Sequence, residues 1–400
     1  MIALSIAAVV AGPLAVFAPL GMAPLSAVVA AMSLLAIVRE QLGYIVLRHP
    51  IAQIMLLLLA WMATTIMWTF EPGDALSRLA RTAFLICGGT ALAIMLTSRD
   101  QDDRERLARA VIAGFALLVF FLAFELLTEG SIVRMAQPAK FTEQPWIYVV
   151  VSRGSVFMAL MLWPTLLAFY AFRCRMGVAA AIAGALGIAF LTDHGATKLG
   201  IATGLATLAF VSYFGRRAVV FIGSLCIALV LSMPVLALGS FLLQTWQPLA
   251  ERLKLSAVHR LYIWQFVAER IWERPFFGWG LDASGKIPGG NVLTPIGEPV
   301  ISLHPHNAAL QIWLELGAVG AALSTLLIAA IVLKLTRCHA DRFTQATATA
   351  AFATSFAMAS LSYGIWQSWW LGSLVLMTVW IAGLAAANGA PQPGPALSRF

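Results

Sequence analysis

Along this chain, apolar residues come in long blocks broken by short polar interruptions. Twelve blocks stand out, at about 3–20, 22–38, 51–70, 82–98, 110–127, 154–172, 176–192, 199–214, 218–238, 307–333, 345–364 and 367–388. Each approaches the roughly 20 residues that a helix needs to cross the hydrocarbon core of a bilayer. Backbone groups in lipid must find partners within their own segment, so helices are the expected form. Gly21 and Pro24 punctuate the first pair of blocks, and Gly364 and Gln367 divide the last. One long interval, Gly239–Pro305, breaks the rhythm, with a shorter one at Thr128–Ser152. Inside it, Leu261, Trp264, Ala268 and Ile271 recur at helical spacing across Val258–Trp272, which predicts an amphipathic helix lying on the membrane or roofing a cavity. Pro275–Gly280 then reads as a turn and Gly285–Pro299 as a loop. The pattern predicts an all-α polytopic membrane protein of about 12 transmembrane helices with a large helical loop. It divides into helices 1–9 over residues 1–238, the loop over 239–306, and helices 10–12 with a tail over 307–400.

Composition agrees with the pattern. Of 400 residues, 60% are hydrophobic and 11% charged, where a soluble domain carries about 25% charge. No charged residue lies between Met1 and Val38, or between Phe343 and Ser398. A lone signal peptide does not fit blocks that recur throughout, and an outer-membrane barrel would show short alternating segments. The net charge of +8 belongs first to orientation, so no nucleic-acid partner is expected. Arg39 and Arg48, then Arg99, Arg104, Arg106 and Arg109, then Arg173 with Arg175, Arg216 with Arg217, and Lys334, Arg337 and Arg342 all fall on one side of alternating spans. That side is expected to be cytoplasmic, with both termini. Cys174 and Cys338 then lie in cytoplasmic loops, and Cys87 and Cys226 within spans, so disulfides are not expected. Orientation leaves a second basic group on the outer face: Arg78, Arg81, Arg134, Lys140, Arg153, Lys198, Arg252, Lys254, Arg260, Arg270, Arg274 and Lys286.

Candidate chemistry sits on that outer face. The loop ends in His304-Pro305-His306-Asn307, directly before a helical block. Asn307 is placed to cap that helix. An imidazole can take a proton from a hydroxyl near neutral pH, and a guanidinium can hold a phosphate through paired donors. The helix N-terminus adds N–H groups for an anion. Either histidine can instead serve only to hydrogen-bond a helix end. A His-x-His pair can bind a metal, but no acidic or cysteine cluster completes a ligand set, which favours metal-free chemistry without a cofactor. Arg153 and Lys198 start the sixth and eighth spans; each reads as a snorkelling anchor or as a functional charge. Trp246, Trp264, Trp272 and Trp279 suit the interface. Glu125, inside an apolar run, serves a proton path or pairs with a neighbour.

His304-Pro305-His306-Asn307 with Gln311 and Glu315-Leu316-Gly317-Ala318-Val319-Gly320, preceded by Arg260-Leu261-Tyr262-Ile263-Trp264 and Arg274-Pro275-Phe276-Phe277-Gly278-Trp279-Gly280, resembles the signature of the O-antigen ligase and polymerase superfamily. The resemblance is specific over about 258–320 and rests elsewhere on hydropathy and loop placement. It implies a GT-C-like, metal-independent glycosyltransferase of the bacterial inner membrane, its active site facing the periplasm. The implied donor is a glycan on undecaprenyl diphosphate and the acceptor a lipid A–core sugar for a ligase, or another carrier-linked repeat for a polymerase. On this analogy His306 activates the acceptor hydroxyl, Arg153 and Arg260 engage the diphosphate, Asn307 orders the site, and His304 supports His306 or recognises acceptor sugar. Arg274 is a further substrate-binding candidate in the same loop. Lys198 falls where relatives often present a serine-arginine element, keeping the charge but not the bidentate geometry. The ligase reading comes first; a polymerase, a lipid-linked glycan transporter and a lipid-binding partner of an envelope assembly are the alternatives.

Overall fold

The structure is a computed structural model that describes residues 1–39, 43–96, 101–136, 147–239, 255–301, 303–337 and 340–385. Arg99, Lys140, Trp246, Arg252, Lys254 and Cys338 lie outside the described residues. Every apolar block becomes a helix. In chain order these are α1 (Ile2–Phe17), α2 (Met22–Arg39), α3 (Pro50–Thr65), α4 (Pro72–Met95), α5 (Gln101–Leu127), α6 (Ser152–Ala171), α7 (Arg175–Leu191), α8 (Gly195–Phe214) and α9 (Arg216–Leu238). The long loop contributes α10 (Leu255–Glu273), after which come α11 (Ala308–Arg337), α12 (Arg342–Ala359) and α13 (Ser368–Ala385). Among the described residues, nine helical segments are long and apolar enough by themselves to cross a membrane, while α1 and α7 are shorter apolar helices. The chain is an all-α, multi-pass membrane protein.

Helix α6 is the axis of the bundle. It is the most buried of the spans, and α1, α5, α7, α8, α12 and α13 pack around it. Its Phe157, Met158, Leu160, Met161, Leu162 and Trp163 are essentially inaccessible. In lipid, water expulsion between helices is weak, so close contact carries their association. Gly200 and Gly204 of α8, four apart on one face, lie against Thr354 and Met358 of α12, and Thr354 Oγ1 donates to the Gly200 carbonyl at 3.0 Å. This contact fixes the start of α8 relative to the turn that follows α12.

The amphipathic helix of the long loop forms as its spacing predicts. Ile263, Val267, Ala268 and Ile271 of α10 are buried with Ala237 of α9 and Leu310 and Leu314 of α11. The turn after it docks on α11. Gly317, within α11, takes φ 65° and ψ −164°, and the amides of Ala318 and Val319 donate to the carbonyls of Pro275 and Phe276 at 2.8 and 3.4 Å. The segment Gly285–Pro299 is irregular apart from a single-turn 3-10 element at Ser284–Lys286 and a bridge between Leu293 and Pro299.

Two charged residues have structural duties. Glu125 is wholly buried and accepts the amides of Ile132 and Val133, both at 3.1 Å, capping the short helix Ser131–Ala136. The neighbour it pairs with is therefore backbone. Arg78 of α4 grips Asp282 of the loop through Nε at 3.1 Å, with a second, longer contact at 3.4 Å.

Candidate active site

The histidine pair sits between α10 and the turn 360–367 that joins α12 to α13. Trp264 of α10 donates its indole N–H to the Pro305 carbonyl at 3.0 Å, holding the loop against α10. Beyond the pair, Asn307 Oδ1 accepts the amide of Leu310 at 3.1 Å and is 2% exposed. It is the cap its sequence position predicted, and that bond commits its side chain to starting α11.

His306 has φ 55°, in the left-handed region, where a non-glycine residue is strained and held by its surroundings. Two contacts hold it. Its amide donates to His304 Nδ1 at 3.2 Å, and its own Nδ1 lies 2.6 Å from the Ser362 carbonyl. A carbonyl can only accept, so Nδ1 carries the proton and Nε2 keeps its lone pair. No contact with the described residues occupies Nε2. Burial, together with Arg260 and His259, holds His306 below its ordinary 6.5 against the opposing pull of the Ser362 bond. It is a neutral base at physiological pH.

His304 serves as a bracket. Its Nδ1 accepts from the His306 amide, and its Nε2 edge faces the Gln367 side chain. Its ring meets His306 edge-on at 4.3 Å between centroids, and Gly364 passes so close that an added Cβ would stand 2.9 Å from His304 Cδ2. Burial, then His306, with smaller contributions from Arg260 and Arg78, pushes His304 down to about 3.

Arg260 of α10 is the charge at the centre. Its field acts on His194, His304, His306 and Tyr363. Arg153, at the start of α6, acts on the same tyrosine, and its guanidinium stands over the Trp369 ring at 5.6 Å. So Arg153, Arg260, His304, His306 and Asn307 gather around one turn. Two predicted residues do not join them. Lys198 is exposed in the first turn of α8, its amide bonded to the His194 carbonyl. Arg274 stacks on Trp279 at 4.1 Å and edges a separate aromatic groove with Trp61, Trp68 and Phe277.

Two residues of the recognised motif, Gln311 and Glu315, had no role in the sequence reading, and the structure gives them one. Glu315 is fully buried and accepts from the Asp282 amide at 2.9 Å, the Ser284 hydroxyl, Gln311 Nε2 at 3.0 Å and Trp366 Nε1 at 2.7 Å. Gln311 Oε1 accepts the Ile365 amide at 2.9 Å. These two side chains of α11 clamp the turn 360–367, and that turn orients His306. Besides their place in the motif, the signal was the polar interruption at Gly364 and Gln367, which reads as a boundary between spans. Among the described residues, no group of three His, Cys, Asp or Glu is placed to hold a metal ion.

Comparison with known proteins bears out the resemblance drawn from the motif. The O-Antigen ligase family model matches residues 160–325. A protein of Rickettsia conorii (strain ATCC VR-613 / Malish 7) named "Putative polysaccharide ligase" is 27% identical over 340 residues, 81% of this chain and 78% of its own. A namesake from Rickettsia felis (strain ATCC VR-1525 / URRWXCal2) is 28% identical over 345 residues, 80% of this chain and 78% of its own. Another, from Rickettsia prowazekii (strain Madrid E), reaches 38% over a shorter stretch of 130 residues, 32% of this chain and 31% of its own. These matches support a ligase-type role for a membrane enzyme.

Proposed function

We propose that this protein transfers a glycan from undecaprenyl diphosphate to a sugar hydroxyl of lipid A–core at the periplasmic face of the inner membrane. The observation that carries the reading is the proton placement on His306: Nδ1–H is spent on the Ser362 carbonyl, leaving Nε2 as a lone pair beside Arg260. A sugar hydroxyl is a weak nucleophile, and a fixed base that takes its proton as the bond forms contributes about 10²- to 10⁴-fold. The leaving diphosphate gains negative charge, which the fixed guanidinium groups of Arg260 and Arg153 offset without a metal. His304 and Asn307 hold the base from either side. Lys198 and Arg274 take peripheral places along the lipid-linked donor. Attack opposite the leaving diphosphate inverts the anomeric centre.

The test offers purified protein an undecaprenyl-diphosphate-linked glycan with and without lipid A–core. Transfer that requires the core is expected. Chain elongation without core would replace this reading with a polymerase, and movement of the donor across a vesicle without bond cleavage would replace it with a transporter. His306→Ala is expected to lower transfer at least about 100-fold while the variant still binds donor; undiminished activity would remove His306 from the mechanism. A product of retained configuration by NMR would reject the inverting displacement.

A further inference from the structure

A further histidine, His194, reaches the same turn 360–367 through Tyr363, and nothing in the proposed chemistry uses it. His194 lies in the turn between α7 and α8. Its Nδ1 is 2.9 Å from Thr197 Oγ1 and its Nε2 3.4 Å from the Tyr363 hydroxyl. Thr197 Oγ1 is in turn 3.0 Å from Ser155 Oγ, which donates to the Ser152 carbonyl at 2.8 Å.

That last bond orders every proton in the chain. A serine hydroxyl has one hydrogen, and Ser155 spends it on a carbonyl, so Ser155 can only accept from Thr197. Thr197 has then spent its own hydrogen and can only accept from His194 Nδ1–H. His194 Nε2 is therefore the lone pair, and Tyr363 O–H points at it. Burial and Arg260 bring His194 down to about 4, which keeps this imidazole neutral.

The hydrogen-bonded chain also closes on itself. The Tyr363 ring meets Trp369 at 4.7 Å, Trp369 lies under the Arg153 guanidinium, and Arg153 follows Ser152, where the chain ends. Meanwhile the residue before Tyr363 is Ser362, whose carbonyl fixes the His306 tautomer. Arg153 and His306 belong to different elements. Tyr363 is where the two arms meet.

We propose that Tyr363 and His194 are positioning residues that hold the donor-side arginine, Arg153, in register with the base, His306. This rests on the ligase reading for the meaning of the two ends, while the proton order stands on geometry alone. Loosening the link leaves each end its own substrate contact, so it acts on the reacting geometry rather than on donor capture. Small misplacements of that kind cost roughly 10- to 100-fold in rate.

The experiment compares Thr197→Val, which keeps the shape and deletes the hydroxyl, with Thr197→Ser, which restores it, in the full-length protein. Nitrogen-15 spectra of histidine-labelled protein, with His194 assigned from His194→Gln, are expected to show the Nδ1–H tautomer in the unaltered chain and in Thr197→Ser. In Thr197→Val the proton is expected to move to Nε2. With undecaprenyl-diphosphate-linked glycan and lipid A–core, Thr197→Val is expected to lower kcat about tenfold with donor KM within about twofold, and Thr197→Ser to recover most of it. An Nε2–H tautomer in the unaltered protein overturns the inference, and so does a kcat loss equal in both variants or no loss in either. Absence of any transfer by the unaltered protein would sink the ligase reading instead, and the spectra would still decide the proton order.

Discussion

The imidazole of His306 has its proton placed by one backbone oxygen, and that fixes how the site responds to pH. The reactive form is the neutral ring, with its lone pair at Nε2. Its population rises with pH through the residue's own pKa, which burial, Arg260 and His259 hold below 6.5. The acidic limb of kcat/KM is therefore expected to have its midpoint below pH 6.5. Arg260→Gln removes one of the three lowering causes, so the residual activity of that variant should show the midpoint moved upward, still short of 6.5 because burial and His259 remain. A limb at or above 6.5 in the unaltered enzyme would mean that some other group titrates. Sequence reasoning singled out His304, His306, Asn307 and Arg153 by residue type and position and Arg260 through the family resemblance, five residues that the structure brings around one turn. It missed Ser362, since the functional atom there is a backbone carbonyl, which every residue possesses. It also passed over His194, whose role depends on a tyrosine 169 positions away.

Helix existence was legible throughout, and helix extent was not, for a reason visible in three elements. The start of α4 at Pro72 and of α5 at Gln101 both precede the apolar blocks expected at 82 and 110. Their first turns carry Asp74, Arg78 and Arg81, or Asp102, Arg104 and Arg106. Hydropathy marks where lipid begins, whereas backbone hydrogen bonding continues into water. The opposite error falls on α12, which ends at Ala359 rather than 364. Leu361, Tyr363, Ile365 and Trp366 keep the turn apolar by composition, while its backbone is held by side chains of α11. Within α11, Gly317 is the position that the packing of two elements depends on. Its φ and ψ lie in a region open essentially to glycine alone, and an added Cβ would stand 2.3 Å from the Phe276 carbonyl oxygen. Gly317→Ala is expected to cost about 1–3 kcal/mol through the backbone alone, with the Pro275–Gly280 turn lifting from α11. Thermal unfolding of the full chain in detergent checks this; an unchanged midpoint would show that the turn is not anchored there.

Across the whole molecule, the alternation of spans and the distribution of arginine predict an orientation that native chemistry can test. Cys174 is exposed in the turn between α6 and α7, on the side where the basic loops collect. A membrane-impermeant maleimide added to spheroplasts is expected to leave Cys174 unlabelled until the membrane is opened, while Leu293→Cys, at a site 63% exposed in the long loop, labels at once. The reverse result would turn the site toward the cytoplasm and with it the whole functional reading. The contributors to the site are also ordered in time. Arg153, His194, Arg260 and His306 are made before Ser362 and Tyr363, yet the tautomer of His306 depends on the Ser362 carbonyl. During synthesis and insertion, a nascent chain lacking the turn 360–367 carries the arginines and histidines of the site without the carbonyl that places the His306 proton. On the proposed chemistry, the base is set only once α12 and its turn have formed, so an interrupted translation product is expected to be inactive.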